Sequence, residues 1–141
     1  MQPLSAATAR SVAEWLAVAD LDLRVAERMS ADDAVFYGYH LPFACQQAVE
    51  KYAKAVLFAY ALPVRRPHDL PALLQCLEPV ATFSTDDYDR ADVLADYAVD
   101  IRYPTNQPLT AAEVADALVI ARYFCALLRP LTIQRIAAAE L

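Results

Sequence analysis

The chain is nearly without glycine: Gly38 is the only one in 141 residues. That scarcity argues against a turn-rich β architecture, whose tight turns depend on glycine. It also excludes a phosphate-cradling loop of the P-loop or dinucleotide kind, where several glycines let the backbone approach the ligand. No segment reaches the roughly 18 consecutive apolar residues of a membrane span. The N-terminus lacks the basic region and apolar run of a signal peptide, so a cytoplasmic protein without membrane contact is expected. Positive charge is short as well. Lys and Arg number 12 against 18 Asp and Glu, for a net charge of −6 and a pI near 4.7. A protein that binds nucleic acid regardless of sequence is normally basic, because its affinity comes from neutralising phosphates. Contact with RNA must therefore use a local basic patch or go through a partner. The cysteines, Cys45, Cys76 and Cys125, are odd in number, lack C-x-x-C spacing and sit on apolar helical faces. They read as reduced core thiols, with no neighbouring sequence that would activate one for catalysis.

What is present is apolar and helical. Hydrophobic residues make up 58% and charged residues 21%, which excludes disorder for the chain as a whole. The length suits one domain with a real core. Every long segment carries its apolar residues at helical period. The expectation is an all-α, up-and-down bundle of four to five helices, with its core from about residue 11 to 129.

In the first helix, beginning between Ser5 and Ser11, Val12, Leu16, Ala19, Leu23 and Ala26 form one stripe widened by Trp15. Ser11 with Glu14 reads as a capping box, and the helix should end near Met29 or Ser30. A long helix from about Asp32 to Ala61 follows, bent near Tyr39 to Pro42, where proline removes a backbone donor. It contains the strongest helical signal, Leu41 to Leu62. There Leu41, Cys45, Ala48, Tyr52, Ala55, Val56 and Ala59 mark the buried face, and Gln46, Glu50 and Lys54 form a polar row. Glu50 and Lys54 are spaced for a helical ion pair of about 0.3 kcal/mol; Glu50, Lys51 and Lys54 either form a solvated, paired row or border a groove where the Arg102 loop lies. From Leu57 to Leu62 the helix is apolar nearly all round, so a short third helix or a subunit contact should cover it. Asp69 caps a short helix over 70–77, with Pro71 tolerated in its first turn. Ser84 with Asp87 opens a helix from about Asp86 to Ile101. Thr110 with Glu113 opens another from Ala111 to Leu128, which Pro130 ends.

Four places could carry chemistry. Arg65, Arg66 and His68, beside Asp69, could bind a phosphate and shuttle a proton; equally, Asp69 is a cap and the arginines are solvated. Arg102, Tyr103, Thr105 and Asn106 present a cation, a phenol and polar groups on one loop, although an arginine past a helix end also simply complements the dipole. Asp89, Asp92, Asp96 and Asp100 share a helix face that could hold a divalent ion, or be solvated. Phe36, Tyr37, Tyr39 and Phe43, with His40 among them, suit a protein interface or core packing.

Three elements together resemble a known family. Gln46, Gln47, Ala48, Glu50, Lys51, Lys54 and Ala55 match a Gln-Gln-Ala-x-Glu-Lys-x-x-Lys-Ala helix. His68, Asp69 and Leu70 match a His-Asp-Leu element. Arg102, Tyr103 and Pro104 match an Arg-Tyr-Pro element. In this order, over about Trp15 to Leu128, they resemble the HEPN domain family (higher eukaryotes and prokaryotes nucleotide-binding domain), in its branch with the Arg-Tyr-Pro element. The resemblance implies a helical bundle, usually a homodimer, often working with a minimal nucleotidyltransferase partner in a two-component module that is in some cases toxin and antitoxin. Many members are metal-independent ribonucleases with an arginine followed four to six residues later by histidine. Here Tyr103 to Thr110 contain no histidine. Three readings follow. The first is a subunit binding nucleotide or RNA through Arg102, Tyr103, Asn106, Lys51, Lys54, Arg65 and Arg66. The second is a ribonuclease of altered site using Arg102 and His68. The third is a purely structural interaction module. None calls for a cofactor or a metal.

Overall fold

The computed structural model of the protein describes residues 1–104 and 107–139. Among these every regular element is a helix: five helices and one additional single turn. The first helix, α1 (Ala6–Tyr37), is capped by Ser5, whose side chain accepts from the Thr8 amide. Its stripe is as expected: Val12, Leu16, Ala19, Leu23 and Ala26 are buried, joined by Ala9 one turn earlier.

The helix does not stop at Met29 or Ser30. It runs on to Tyr37 across a kink at Asp33, where φ is −155° and ψ 87°. The Asp33 carboxylate accepts from the Phe36 amide and so opens a final turn of its own. The break expected near Pro42 instead falls at Gly38, whose φ of 55° only glycine adopts without strain. Helix α2 (His40–Ala59) therefore starts afresh, and Pro42 lies in its first turn, where a missing N–H costs nothing.

The buried face of α2 is the expected one: Leu41, Cys45, Ala48, Tyr52, Ala55, Val56 and Ala59 are all inside. It packs against α1, against α6 (Ala111–Ala137) and against the short α3 (Leu70–Cys76), which brings Leu70, Leu73, Leu74 and Leu77 to the core. The remaining helix is split. Thr85–Ala95 is α4, capped by a Ser84–Asp87 capping box, and Tyr97–Asp100 is the single turn α5, offset at Asp96.

Pro130 does not end α6; the helix continues to Ala137. The proline removes the N–H that would pair with the Ala126 carbonyl. The extension is held by what it covers. Ile136 and Ala139 pack with Leu4, Ala9, Val12, Ala59 and Tyr60 in a satellite cluster over the greasy end of α2. Arg135 donates from Nε to the Ala59 carbonyl at 3.1 Å and from Nη2 to the Gln2 carbonyl at 3.0 Å. Its guanidinium also lies 5.3 Å from the Tyr60 ring centroid. So α3 and the two ends of the chain together bury Leu57 and Ala59 and partly cover Tyr60 and Leu62, while Phe58 and Ala61 stay exposed.

Beneath Arg135, α2 finishes in a Schellman motif. Leu62 donates to the Leu57 carbonyl at 2.8 Å and Ala61 to that of Phe58 at 3.3 Å. The residue that turns left-handed there is an alanine, Ala61, at φ 53°.

Candidate functional site

The polar row of α2 is not solvated. Gln46 is 0% and Glu50 3% exposed, and Lys54 is mostly covered. Neighbouring elements fold over this row and leave a cavity of about 350 Å³ beside it. Its lining is Trp15 of α1; Phe43, Gln46, Gln47, Glu50, Lys51 and Lys54 of α2; His68 from the loop before α3; and Ala98 and Arg102 around α5.

Glu50 is the hub. Gln47 Nε2 donates to Oε2 at 3.3 Å, Lys54 Nζ lies 3.5 Å from Oε1, and His68 Nδ1 lies 2.7 Å from the same oxygen. A carboxylate only accepts, so the proton of this last bond is assigned to Nδ1, which leaves Nε2 directed away from Glu50. His68 is 82% exposed, and this bond ties its ring to the bundle. The loop backbone delivers it. Arg66 takes a left-handed φ of 46° and accepts from the Asp69 amide at 3.0 Å, while Asp69 caps α3 through the Ala72 amide.

Arg102 is delivered from the other side. Tyr97 buries the turn α5 and stacks edge-on with Tyr39, ring centroids 6.2 Å apart. Burial, then the charges of Glu113 and Asp116, push the Tyr97 phenol up to about 12, so it packs as a neutral ring. Tyr39 in turn donates its hydroxyl to the Gln107 carbonyl at 2.8 Å, tying down the far end of the loop that carries Arg102. Among the described residues Arg102 has no carboxylate partner, whereas Lys51 pairs with Asp22 and Lys54 with Glu50. Lys54 also stands over the Trp15 ring at 5.9 Å. The cavity thus combines a guanidinium, two lysines, a histidine fixed by a buried carboxylate, and two aromatic walls. That combination can bind a phosphorylated ligand and offers one group able to move a proton.

The HEPN domain profile matches residues 12–131, which contain every element of this site. The chain belongs to the HEPN family. Two solved structures are similar to it: TT1696 from Thermus thermophilus, at 24% identity and a TM-score of 0.72 over 85% of this chain and 97% of that one, and ST0689, an archaeal HEPN homologue, at 18% identity and a TM-score of 0.65 over 96% and 99%. At these identities the likeness speaks for the fold. No curated protein matches the chain.

Within this HEPN domain the residues singled out in the sequence divide. Lys51, Lys54, His68 and Arg102 line the one cavity. Arg65 and Arg66 do not; they border a separate pocket of about 330 Å³ with Leu62, Pro63, Gln75 and Cys76. Their direction follows from the left-handed turn at Arg66, which the sequence does not announce. Tyr103 is 55% exposed and outside the cavity lining. Asn106 and Thr105 lie outside the described residues. Asp89, Asp92 and Asp96 are exposed, and among the described residues no three His, Cys, Asp or Glu side chains gather as a metal site. No helix of the described residues is long and apolar enough to cross a membrane. Of the aromatic group, Phe43 reaches the cavity, Tyr39 braces it and Phe36 is exposed. The sequence leaves Glu50 between a solvated row and a border to the groove of the Arg102 loop, and the structure places it on the cavity with Arg102; Gln46 reads only as part of the polar row. Their spacing is that of a surface ladder, and only the packing of Trp15, His68 and α5 above them turns it into a cavity wall.

Proposed function

We propose that this HEPN protein is a nucleotide- or RNA-binding subunit, of the Arg-Tyr-Pro branch, working as a homodimer with a minimal nucleotidyltransferase partner in a toxin–antitoxin-like module. The observation that carries the binding reading is the convergence of Arg102, Lys51, Lys54 and His68 on one cavity, where Arg102 has no carboxylate partner among the described residues. In a chain of net charge −6 such a cluster is a local exception, and local exceptions are where an anion is held. The dimer and the nucleotidyltransferase partner rest on the family resemblance. Ligand binding stabilises the folded state by about 2.7 kcal/mol at a hundredfold excess over Kd. A saturating nucleotide should therefore raise the melting temperature by several degrees, and Arg102→Ala should remove the rise. No shift with any nucleotide or oligonucleotide would favour the interaction module.

A second reading, RNA cleavage, is supported by the pairing of His68 with Glu50 beside Arg102. Metal-independent cleavage needs a proton acceptor near the 2′-hydroxyl and a cation near the phosphate. RNA incubated with the protein under chelator, alongside His68→Ala and Arg102→Ala, separates the two. Cleavage lost in both variants supports the enzyme; intact RNA at high protein excess sinks it.

A further inference from the structure

The outer face of α1 is unlike a solvated helix face. The buried stripe of α1 runs through Val12, Leu16, Ala19, Leu23 and Ala26. On the opposite side, where an amphipathic helix normally turns polar residues to water, Val18, Leu21 and Val25 recur at steps of three and four. They are 42%, 59% and 40% exposed. Shallow hollows flank them. One, of about 490 Å³, lies along Leu21, Val25, Arg28 and Asp32; another, of about 310 Å³, lies among Glu14, Trp15, Val18 and Lys51.

The charges on the same face are arranged symmetrically about Leu21. Arg10 and Glu14 continue the stripe on one side of it and Arg28 and Asp32 on the other, all exposed. Glu14 and Arg28 stand equally far from Leu21 along the chain, and so do Arg10 and Asp32. In each pair one member is acidic and the other basic. About 21 Å of helix separates Glu14 from Arg28, so the two cannot meet within one chain. A two-fold axis at Leu21 brings them together. Laid antiparallel on its own image, the stripe sets Leu21 against Leu21 with Val18 and Val25 beside it, Glu14 of one copy on Arg28 of the other, and Arg10 on Asp32. Parallel pairing would set like charge on like. A contact between two identical faces has to be self-complementary in this way, whereas a foreign partner asks for no such symmetry.

We propose that the outer face of α1 is the homodimer contact, with two copies packing antiparallel about Leu21. The proposal rests on the homodimer reading and locates its contact. It reaches the candidate site as well. The partner's Arg28 comes to the hollow of Glu14 and Trp15, and Trp15 and Lys51 of that hollow also line the Arg102 cavity. Each copy thereby builds part of the surroundings of the other's cavity.

The test is sedimentation equilibrium of the full chain from about 1 to 100 μM, for wild type, Leu21→Glu, Glu14→Arg and Arg28→Glu. All three positions are exposed and outside the core, so the variants fold. Wild type should be a dimer. Leu21→Glu puts two carboxylates on the axis and should raise the dimer dissociation constant by about a hundredfold. Glu14→Arg and Arg28→Glu each set like charges together twice and should each raise it by about tenfold. A general charge effect would do the opposite for Glu14→Arg, which brings the net charge of −6 nearer to zero. An equimolar mixture of these two variants should recover a dimer of wild-type strength, because a stripe basic at both ends then meets one acidic at both ends. A wild-type chain that stays monomeric throughout overturns the homodimer reading and this contact with it. A wild-type dimer that Leu21→Glu leaves intact overturns the α1 contact alone. A dimer that Leu21→Glu breaks, but that the single charge variants leave unweakened or their mixture fails to recover, overturns the antiparallel pairing about Leu21.

Discussion

His68 Nδ1 stands 2.7 Å from Oε1 of Glu50, a contact between an exposed loop ring and a carboxylate inside the bundle. Glu50 is therefore a structural residue as well as a site residue. Its removal in Glu50→Ala leaves the Lys54 ammonium and the His68 ring without their carboxylate and takes one of two acceptors from the Gln47 amide, at a cost of about 2–3 kcal/mol. Glu50→Gln keeps an acceptor for His68 and should lose less than half as much. Urea denaturation of both variants checks the order.

Ala61 should improve on becoming glycine. A non-glycine residue in the left-handed region costs about 1–2 kcal/mol, partly offset by the greater unfolded-state freedom of glycine. Since Ala61 is the turning residue of the Schellman motif, Ala61→Gly should stabilise the protein by about 0.5–1 kcal/mol. An unchanged or lower denaturation midpoint would contradict this account of the α2 terminus.

Acid should weaken the bundle through two aspartates. Burial disfavours the charged form of Asp20, but hydrogen bonds from Arg129 and Tyr52, with the Arg129 charge, outweigh it and hold its carboxyl below the ordinary value of 3.8. Burial also opposes ionisation of Asp87, and the hydroxyl of Tyr123, the backbone and side chain of Ser84 and the charge of Arg90 outweigh it there. A carboxyl whose pKa is lower folded than unfolded adds stability above the unfolded value and loses it as pH falls through the folded one. Melting temperatures should fall progressively from about pH 4 downward, and Asp20→Asn and Asp87→Asn should each flatten that fall while lowering stability at pH 7.

Thiol reagents should distinguish the three cysteines. Burial pushes the Cys45 thiol up to about 12, an effect that the nearby Arg122 charge only partly opposes. Cys76 and Cys125 are half-buried. Under native conditions a small thiol reagent should modify Cys76 and Cys125 first and reach Cys45 only at the rate of unfolding, as read by peptide mass mapping over time.

The fold was legible where local chemistry decides it. The stripes of α1 and α2 and the caps at Asp69, Ser84 and Thr110 depend on spacing and side-chain oxygens within four residues, and they stand as read. The helix ends were less legible. Pro42 and Pro130 look like breaks, yet one falls in a first turn and the other is carried through by the packing of Ile136 and the bonds of Arg135, which come from distant parts of the chain. The site was half legible. Its cations and His68 are conspicuous residues, whereas the roles of Gln46 and Glu50 depend on which elements fold over α2.

Lys51 and Lys54, both on the cavity, are the only lysines in the chain; every other basic side chain apart from histidine is an arginine. The protein therefore concentrates its side-chain amines in one place. An acylating reagent would mark the candidate site and pass over the arginine-bearing faces of the bundle. A ligand seated on Arg102 would shield both amines together, so occupancy of this one cavity can be followed by footprinting the natural chain, with no label introduced.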